Sequence, residues 1–399
     1  MGFDLYLCEK QLQAEDVANA LGSYVNGNGF YRIGSNIYVT YAKGHFMNLC
    51  EPHYYNPRYK RWNINDLPII PPRWEKTVNE REIGQFNIVK NLIAKASTIY
   101  VATDLDREGE SVAKDILESC PHTANVWRIR ITALDEYSLK KALSDPRNMS
   151  ETITKAYAAE ARKKCDWIFG KNLTRLYTLI AQEMGYKDTF HVGRVAVALI
   201  ALVCERDNAI SSFVPSPYYT LKAKCLHQGK EFQAKWLPPP KYCDQKKRCI
   251  EFLPRDDAAR QSVGKTGTVT SVSSKEKHSN APLPFDLNSI QELACKRWDY
   301  TAVDVQKGLQ ALYERHKLIT YHRTENRYLP SSFMNMVEII IDAIRASGKL
   351  GEQIIAGIDT SKIKTARVFD DEKADASHHA IIPTPHKKRI ECLNTIEAR

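Results

Sequence analysis

The first part of the chain alternates between two patterns of apolar residues. Short apolar runs rich in β-branched and aromatic residues have the length of buried strands, and they are followed by stretches with apolar residues at helical spacing. Strands that alternate with helices predict a mostly parallel sheet with helices packed on its faces. The predicted strands are residues 3–9, 97–104 and 126–132, and the predicted helices are residues 13–25 and 109–120.

The rest of the chain changes pattern three times. Residues 151–214 have helical spacing, with Ala158 and Cys165 on one face. A joint that contains prolines leads to the strand-like stretches 218–225 and 266–274, and after the linker HSNAPLPF the spacing becomes helical again. The pattern predicts a multidomain protein with α/β, helical and β-rich parts. The predicted domains are 1–150 (α/β), 151–214 (helical), 215–280 (β-rich) and 281–399 (helical).

Composition excludes several classes of protein. Hydrophobic residues make up 43% of the chain, which is enough for substantial cores, yet no apolar run approaches the roughly 20 residues of a membrane span. The first residues, MGFDLYLCEKQLQAED, lack the basic and then apolar layout of a secretory signal. We therefore expect a cytoplasmic protein that does not bind membranes.

The ten cysteines are scattered, and no two of them form a CxxC pair. A zinc ribbon needs paired thiolates at short spacing, so none is predicted. Reduced and mostly buried thiols are favoured over disulfides, because this is the usual state of cysteines in the cytoplasm.

The charge balance permits a polyanionic partner. There are 57 Lys and Arg residues against 47 Asp and Glu residues, a net charge of +10. Between Lys155 and Lys187, seven basic residues stand against three acidic ones, with Trp167, Phe169 and Tyr177 interleaved. Cations for phosphates beside rings for bases are typical of a groove for single-stranded DNA, although such a stretch can also be a solvated helix face.

Acidic residues follow two of the predicted strands. Glu9 closes the first strand, and Asp104 and Asp106 follow another in the string ATDLDREGE. Ligands of open parallel sheets bind at the carboxyl ends of strands, so these acids can meet there and share Mg²⁺. The alternative is that they only cap the helix that follows. The compact D-x-D-x-x-G-E spacing, in which Gly109 lets that helix start close by, favours the metal site.

Together with the first strand, this string resembles the Toprim domain, the metal-binding module of topoisomerases, bacterial primases and some nucleases. The string LITYHRTENRYLP resembles the active-site motif of type IA topoisomerases, in which the tyrosine of ITYxRT attacks DNA. Other segments resemble family blocks in the family's order, so the resemblance covers essentially the whole chain. The residues of these segments are similar to those of the bacterial topoisomerase III branch, including its plasmid-borne members. These segments are RIRITALDE, AAEARKKCDWIFGKNLTRLYT, VGRV, PLPFDLNSIQE and SHHAIIPT.

The resemblance implies a role for each matching position. Tyr321 would be the nucleophile, Lys10 and Arg323 would stabilise charge on the scissile phosphate, and Glu9 would exchange a proton with the departing oxygen. The acids that match the family's Mg²⁺ ligands are Glu9, Asp104, Asp106 and Glu108. The residues expected to contact DNA are Trp62, Arg162, Asp166, Arg175, His191, Val192, Gly193, Arg194, Val195, Ala196, Arg323 and His378.

Three features depart from the family pattern. The usual EKPS start is EKQLQ here, and the family's SVGRVQTP is HVGRVAVA, which puts His191, Ala196 and Val197 where the DNA strand passes. The sequence also ends shortly after HHAIIPT, where family members continue. The fold is therefore expected to be a Toprim domain with a type IA topoisomerase arch that is incomplete at the C-terminus, and the chain is expected to relax supercoiled DNA poorly even where it binds or cleaves single strands.

The function that the resemblance implies is reversible cleavage of one DNA strand through a 5′-phosphotyrosyl bond, which relaxes negative supercoils or decatenates DNA. The expected substrate is single-stranded DNA or underwound duplex, the expected cofactor is Mg²⁺, and the expected form is a bacterial monomer at the nucleoid or a plasmid. No ATP is expected, and no GxxxxGK[ST] loop is present. One alternative is a catalytically impaired fragment that only binds single strands. A Toprim nuclease or primase is the other, and the intact ITYxRT string argues against it.

Overall fold

The computed structural model describes residues 2–358, 366–374, 379–389, 391 and 393–398. The chain divides into two compact units, Met1–Arg194 with Ala281–Arg399, and Val195–Asn280. The predicted division into four domains stays a prediction, because compactness separates only these two units.

The main sheet of the described residues belongs to the first unit and has seven strands. The strands of this unit are β1 (Phe3–Cys8), β2 (Tyr24–Asn26), β3 (Phe30–Ile33), β4 (Ile37–Tyr41), β5 (Met47–Leu49), β6 (Lys76–Val78), β7 (Ala96–Ala102), β8 (Asn125–Arg128) and β9 (Arg147–Asn148). Their order in the sheet is β2-β3-β4-β1-β7-β8-β9, while β5 and β6 form a separate pair. The central strands β4, β1, β7 and β8 are parallel, and the edges are antiparallel. The predicted α/β sheet with a parallel centre is confirmed.

Helices cover the sheet and form most of the remaining structure. In the first unit they are α1 (Gln11–Leu21), α2 (Pro52–Tyr55), α3 (Ile83–Ile93), α4 (Arg107–Ser119), α5 (Glu136–Leu143) and α6 (Ile153–Glu183). Helix α7 (Arg194–Ser211) crosses the boundary, α8 (Phe252–Ser262) lies in the second unit, and α9 (Leu287–Trp298), α10 (Ala302–Gln310), α11 (Val337–Arg345) and α12 (Lys349–Ile355) lie in the first. Short 3₁₀ segments span Pro57–Lys60, Ile64–Asp66, Glu80–Glu82, Met149–Glu151, Pro240–Tyr242 and Ser331–Met336.

Strand β1 is apolar on both faces because helices cover both sides of the sheet. Leu5 and Leu7 pack in a core with α3 and α4, whereas Tyr6 and Cys8 pack in a second core with α1 and α5. Tyr321 is a member of this second core. The side chains of β1 thus contribute to two cores, one on each face of the sheet. Tyr321 lies in the core that contains Tyr6 and Cys8.

Helices α9, α10, α11 and α12 lie in the second region that was predicted to be helical, and they are separated by non-helical segments. Asp286 caps α9 with its side chain, which accepts a hydrogen bond from Ser289 N–H. Helix α10 continues into a π-helical turn, Ala311–Arg315, and Lys317 then takes a left-handed backbone with φ of 59°. This break ends the helix just before the segment that carries Tyr321.

In the second unit, β10 (Lys222–His227) and β11 (Lys230–Lys235) form an antiparallel hairpin. Residues 218–225 were predicted as a strand, and half of them, residues 222–225, belong to β10. The strand predicted at 266–274 is wrong, since those residues have no regular secondary structure. Their alternation of Thr, Val and Ser suits a strand, but a strand forms only when a neighbour accepts and donates its backbone hydrogen bonds.

Among the described residues, no helix combines the length and the apolar character that a membrane span requires.

Candidate active site

Parallel pairing of β1 and β7 brings two acids together at one edge of the sheet. Cys8 and Ala102, the last residues of these strands, are register partners, and Glu9 and Asp104 follow them closely. Glu9 Oε2 accepts a hydrogen bond from the Asp104 backbone N–H at 3.2 Å, and both side chains are buried. The predicted convergence of acids at the carboxyl ends of strands is therefore present.

The carboxylate of Asp104 is held from two sides. Gln13 Nε2 donates to Oδ1 at 3.1 Å, and Lys10 Nζ donates to Oδ2 at 3.2 Å. Gln13 lies one helical turn after Glu9 and also accepts the backbone N–H of Glu9 at 2.9 Å. Asp104 is thus oriented by α1 rather than by the helix that follows it.

Asp106 both caps α4 and contacts the predicted nucleophile. Its Oδ1 accepts the backbone N–H of Gly109 at 2.7 Å, as an N-cap residue does. Its Oδ2 accepts the hydroxyl of Tyr321 at 2.8 Å. One oxygen of Asp106 therefore caps the helix, which was the alternative to a metal site, and the other accepts the Tyr321 hydroxyl, while the metal site stays a prediction.

Tyr321 is buried in the second core with only its hydroxyl directed at the acids. Its ring packs against Tyr313 and His322 at centroid distances of 5.4 and 5.7 Å, and its backbone N–H donates to Thr132 O at 2.9 Å. Burial raises the pKa of Tyr321 far above its ordinary value, and Asp104 and Asp106 raise it further. The residue is therefore a neutral phenol that needs an acceptor for its proton before it can attack.

Two cations lie beside this phenol. Arg323 is exposed and makes no hydrogen bond or ion pair with any residue that the structure describes. Lys10 Nζ bonds Glu314 Oε1 at 2.8 Å in addition to Asp104. Burial alone would lower the pKa of Lys10, but Asp104 and Glu314 outweigh it and raise that pKa. Lys10 is committed to the acids, and Arg323 is available to an anion.

The acids carry more negative charge than their neighbours compensate. Burial, followed by Asp104 and then Asp106, raises the pKa of Glu9 to about 8, while Lys10 opposes this rise. Burial also raises the pKa of Asp104, with a further contribution from Asp106. Carboxylates that are destabilised in this way fit a divalent cation, because its charge removes the repulsion and carboxylate oxygens are preferred ligands of Mg²⁺.

Glu108 differs from the other acids of its motif. Its side chain is 53% exposed and its Oε1 lies 3.0 Å from Nε2 of His45. Within the described part of the chain, no three His, Cys, Asp or Glu side chains already form the geometry of a metal site. The burial of Glu9 and Asp104 and their repulsion by Asp106 therefore favour a cation at these three acids, and Glu108 does not share their surroundings.

A cavity of about 990 Å³ opens beside the acids. Asp106 and Arg323 line it, and Lys155, Arg162 and Lys163 of α6 form one wall. Further cationic side chains that line it are Arg107, Arg327 and Lys373. The cavity is large enough for a nucleotide segment, and its lining suits a phosphate backbone.

The segment 190–194, which holds His191–Arg194 of the predicted DNA-contacting residues 191–196, lies along α6. Thr178 Oγ1 accepts the backbone N–H of Phe190 at 3.0 Å, and one turn earlier Thr174 Oγ1 accepts that of Val192 at 2.9 Å. Arg194 Nε donates to Asp166 Oδ1 at 2.7 Å. His191 and Arg194 are exposed and Val192 and Gly193 are half-buried, while in the second unit Val195 and Ala196 are exposed at the start of α7.

Trp62 and Arg175 contact each other. The Arg175 guanidinium lies 5.3 Å from the centre of the Trp62 ring, and its Nη1 donates to Tyr59 O at 3.0 Å. Arg175 is buried, whereas Arg162 is exposed in the cavity wall. One face of Trp62 is thus covered by the protein's own cation. His378 lies outside the described residues, so its role stays a prediction.

Sequence reasoning missed several residues that support this site. Gln13 follows Glu9 at helical spacing, and Arg128 interrupts an apolar strand, so both could have been identified from the local sequence. Glu314 and His45 left none, because their contacts with Lys10 and Glu108 join segments that are distant in sequence.

Two family models match the chain. The model described as DNA topoisomerase matches residues 150–396, and the Toprim domain model matches residues 4–134.

Curated relatives match almost the whole chain. DNA topoisomerase 3 of Vibrio cholerae is 34% identical, with 99% of this chain and 62% of that protein covered. The Salmonella typhimurium enzyme of the same name is 33% identical over 97% of this chain and 60% of its own length. The one from Bacillus subtilis is 30% identical over 100% of this chain and 53% of its own length. The chain therefore spans roughly half to three fifths of these relatives.

Among solved structures, full-length topoisomerase I from Thermotoga maritima is similar in fold. The TM-score is 0.61 at 20% sequence identity, with 99% of this chain and 58% of that chain covered.

We predict that Gly109→Ala disrupts the acidic loop. A Cβ at Gly109 would lie 2.2 Å from Asp104 O and 2.8 Å from Glu9 Oε2, so the loop must move. The free energy of unfolding should fall by about 1–3 kcal/mol, as overpacking usually causes. Thermal melting checks this. Gly84→Ala is the control, since nothing lies within 4 Å of its Cβ, and it should leave stability equal or higher. Equal stability of the two variants would contradict the prediction.

The pKa of Glu9 predicts a pH-dependent stability in the absence of divalent cations. Between pH about 4.5 and about 8 the folded chain holds a proton that the unfolded chain has lost, so the free energy of unfolding falls as the pH rises through this window. Glu9→Gln removes this loss and should melt higher than the parent protein at pH 8.5 by roughly 3 °C or more.

At pH 4 the two proteins should melt alike, because Glu9 is then protonated in both states. The control is Glu80→Gln at an exposed glutamate, which should show the same difference at both pH values. An advantage of Glu9→Gln that is independent of pH would show that the effect is one of packing.

Proposed function

Because the chain belongs to the type IA DNA topoisomerase family, we propose that it cuts and reseals one DNA strand through a covalent bond between Tyr321 and a backbone phosphate. The observation that carries this proposal is the 2.8 Å hydrogen bond from the Tyr321 hydroxyl to Asp106 Oδ2 at the edge where Glu9 and Asp104 meet. The relatives named DNA topoisomerase 3 support the bacterial topoisomerase III branch. Relaxation of negative supercoils or decatenation would be the resulting activity.

The proposed cleavage is a transesterification in which atoms and charge balance. The phenol oxygen of Tyr321 forms a bond to phosphorus, and its proton passes to Asp106, to which it is already hydrogen-bonded. The bond from phosphorus to the 3′-oxygen breaks, which leaves a 5′-phosphotyrosyl bond. Glu9, whose pKa near 8 keeps it largely protonated at neutral pH, gives its proton to the departing 3′-oxygen. Resealing is the reverse, so no ATP is required.

Charge on the phosphate is the second requirement of this reaction. Arg323 is exposed beside Tyr321 and has no anionic partner among the described residues, which suits it to hold a non-bridging phosphate oxygen. Lys10 would add to this once a phosphate competes with Asp104 and Glu314 for its ammonium group. Mg²⁺ bound by Asp104, Asp106 and Glu9 would supply further positive charge there. A cation and a proton both neutralise negative charge among these carboxylates, so Glu9 would either bind the cation or hold the proton.

We assign the bound DNA to the basic cavity and to the groove along α6. Arg162 and Lys163 would contact phosphates, and the segment 190–194, which lies on α6, would extend the surface that binds the strand. Tyr321, Asp106, Glu9 and Asp104 meet within one chain, so the proposed active form is a monomer. A strand that must place one phosphate at a buried hydroxyl cannot be paired there, so single-stranded or underwound DNA is the proposed substrate.

The nucleophile is tested by Tyr321→Phe. This variant should form no covalent adduct with a single-stranded oligonucleotide, because the attacking oxygen is gone, while its affinity for the same oligonucleotide changes less than twofold. Denaturing gels report the adduct and fluorescence anisotropy reports the binding. Tyr137→Phe at an exposed tyrosine of α5 is the matched control and should form adducts at the rate of the parent protein.

The outcomes also separate the alternatives. Adducts that persist in Tyr321→Phe would remove Tyr321 from this role. A parent protein that binds single strands without forming any adduct would favour the binding fragment. Cleavage by the Tyr321→Phe variant that leaves no protein attached would favour a Toprim nuclease.

The DNA path is tested by Arg162→Ala. The parent protein should bind single strands more tightly than duplex, and its affinity should fall steeply with salt. A plot of log affinity against log salt concentration has a negative slope, and loss of one phosphate contact should make this slope shallower by about 0.7. Arg81→Ala is the control at an exposed arginine outside the cavity, and its slope should equal that of the parent protein. An unchanged slope for Arg162→Ala would place the DNA elsewhere.

A further inference from the structure

A buried ion pair lies directly behind the acidic loop. Arg128, the last residue of β8, and Glu110 in α4 are both completely inaccessible to solvent, and Arg128 Nε donates to Glu110 Oε1 at 2.7 Å. Removing two charges from water is unfavourable unless hydrogen bonds satisfy them. Both residues lie outside the set that the family resemblance assigns to catalysis, metal binding or DNA.

The guanidinium of Arg128 donates most of its hydrogen bonds to backbone oxygens. Nη1 donates to Val101 O at 3.0 Å and to Ile129 O at 2.8 Å, and Nη2 donates to Asp104 O at 2.8 Å. Val101 belongs to β7, and Asp104 lies in the turn after that strand. A single planar fork thus fixes the position of the acidic turn relative to the strand that precedes it.

Glu110 extends this arrangement to α6. Its second oxygen, Oε2, accepts the hydroxyl of Thr152 at 3.1 Å, and Thr152 is buried at the start of that helix. Through one carboxylate and one guanidinium, the loop is connected to the strands behind it and to the helix that forms the wall of the basic cavity.

The backbone of Asp104 is consequently held at both ends. Its N–H donates to Glu9 Oε2 at 3.2 Å, and its carbonyl oxygen accepts from Arg128. Gly109 adds a close fit, since its Cα packs so near Asp104 O that a Cβ would lie 2.2 Å away. Rotation of the Asp104 peptide would move both its own carboxylate and, two residues later, that of Asp106, which contacts Tyr321.

We infer that Arg128 and Glu110 are positioning residues that fix the Asp104 backbone so that the carboxylates of Asp104 and Asp106 are presented together to a divalent cation. The inference rests on the proposed function only in taking these acids as the metal site. Its consequence is that the pair determines metal affinity through the Asp104 carbonyl, beyond what it contributes to stability.

The test separates these two contributions with Mn²⁺ as the probe and calorimetric binding to the full chain as the readout. In Arg128→Met/Glu110→Met, apolar side chains replace both charges, an exchange that often preserves stability, but nothing donates to Asp104 O. This double variant should melt near the parent protein and bind Mn²⁺ at least tenfold more weakly.

Arg128→Lys provides a second measurement if the double variant does not fold. Lysine can still pair with Glu110, but it lacks the planar fork that reaches several oxygens at once. It should also bind Mn²⁺ at least tenfold more weakly. Affinity equal to that of the parent protein in either folded variant would overturn the positioning role.

Ile93→Ala is the control for general destabilisation. Ile93 is completely buried at the end of α3, close before the start of β7, whereas Asp104 follows the other end of that strand. The strand has seven residues, which separates the two sites by roughly 20 Å. Ile93→Ala should melt lower and keep its Mn²⁺ affinity. A tenfold loss in Ile93→Ala would show that metal binding simply follows stability, and that would also overturn the inference.

Asp104→Asn distinguishes failure of this inference from failure of the metal site. If the parent protein binds Mn²⁺ and Asp104→Asn does not, the site is at these acids, and the Arg128 variants decide the positioning role. If Asp104→Asn binds Mn²⁺ like the parent protein, the metal site is elsewhere, and the positioning role is overturned with it.

Discussion

The parallel register of β1 with β7 is the constraint on which the rest of this site depends. Because Cys8 pairs with Ala102, the residues that follow these strands emerge side by side, and Glu9 accepts the backbone N–H of Asp104. A shift of one residue would turn Tyr6 and Cys8 toward the other core and separate the acids. The two cores on the faces of the sheet therefore hold the register, and the register creates the site.

That juxtaposition produces an electrostatic conflict which the surrounding residues only partly resolve. Lys10 bonds the carboxylate of Asp104, and Arg128, buried in the core, bonds its carbonyl oxygen. Burial nevertheless keeps the pKa of Glu9 near 8 and that of Tyr321 far above its ordinary value. A cation bound here would relieve the repulsion between the carboxylates and would also let a phosphate approach acids that otherwise repel it. Such preorganised charge is the usual means by which enzymes stabilise a reacting phosphate.

Much of this arrangement could be predicted because its signals are local. The strand, its terminal acid and the D-x-D-x-x-G-E string each lie within a few residues, and ITYxRT identifies Tyr321 by resemblance. Contacts across long sequence separations could not be predicted. Glu314 reaches Lys10 only because α10 ends in a π-helical turn beside α1. Likewise, Thr174 and Thr178 hold the segment 190–194 through hydroxyls that give no sequence signal of that role.

The failed prediction at 266–274 has the same origin. Alternation of β-branched and polar residues shows that a segment can pair, whereas pairing itself requires a partner strand that only the fold provides. The hairpin of β10 and β11 formed because its two strands are joined by a tight turn and so meet locally. Residues 266–274 have no such neighbour in the sequence.

The spacing inside the acidic string explains why its glutamates have different surroundings. Successive residues of an α-helix are rotated by about 100°, so Glu108 and Glu110 point to nearly opposite sides of α4. Glu108 faces the cavity and contacts His45, whereas Glu110 points into the core and pairs with Arg128. The helix begins where Asp106 caps it, so the capping carboxylate determines which glutamate faces which way. Asp106 thus sets the start of α4. That start directs Glu108 to the cavity and Glu110 to Arg128. The same carboxylate also accepts the hydrogen bond from Tyr321.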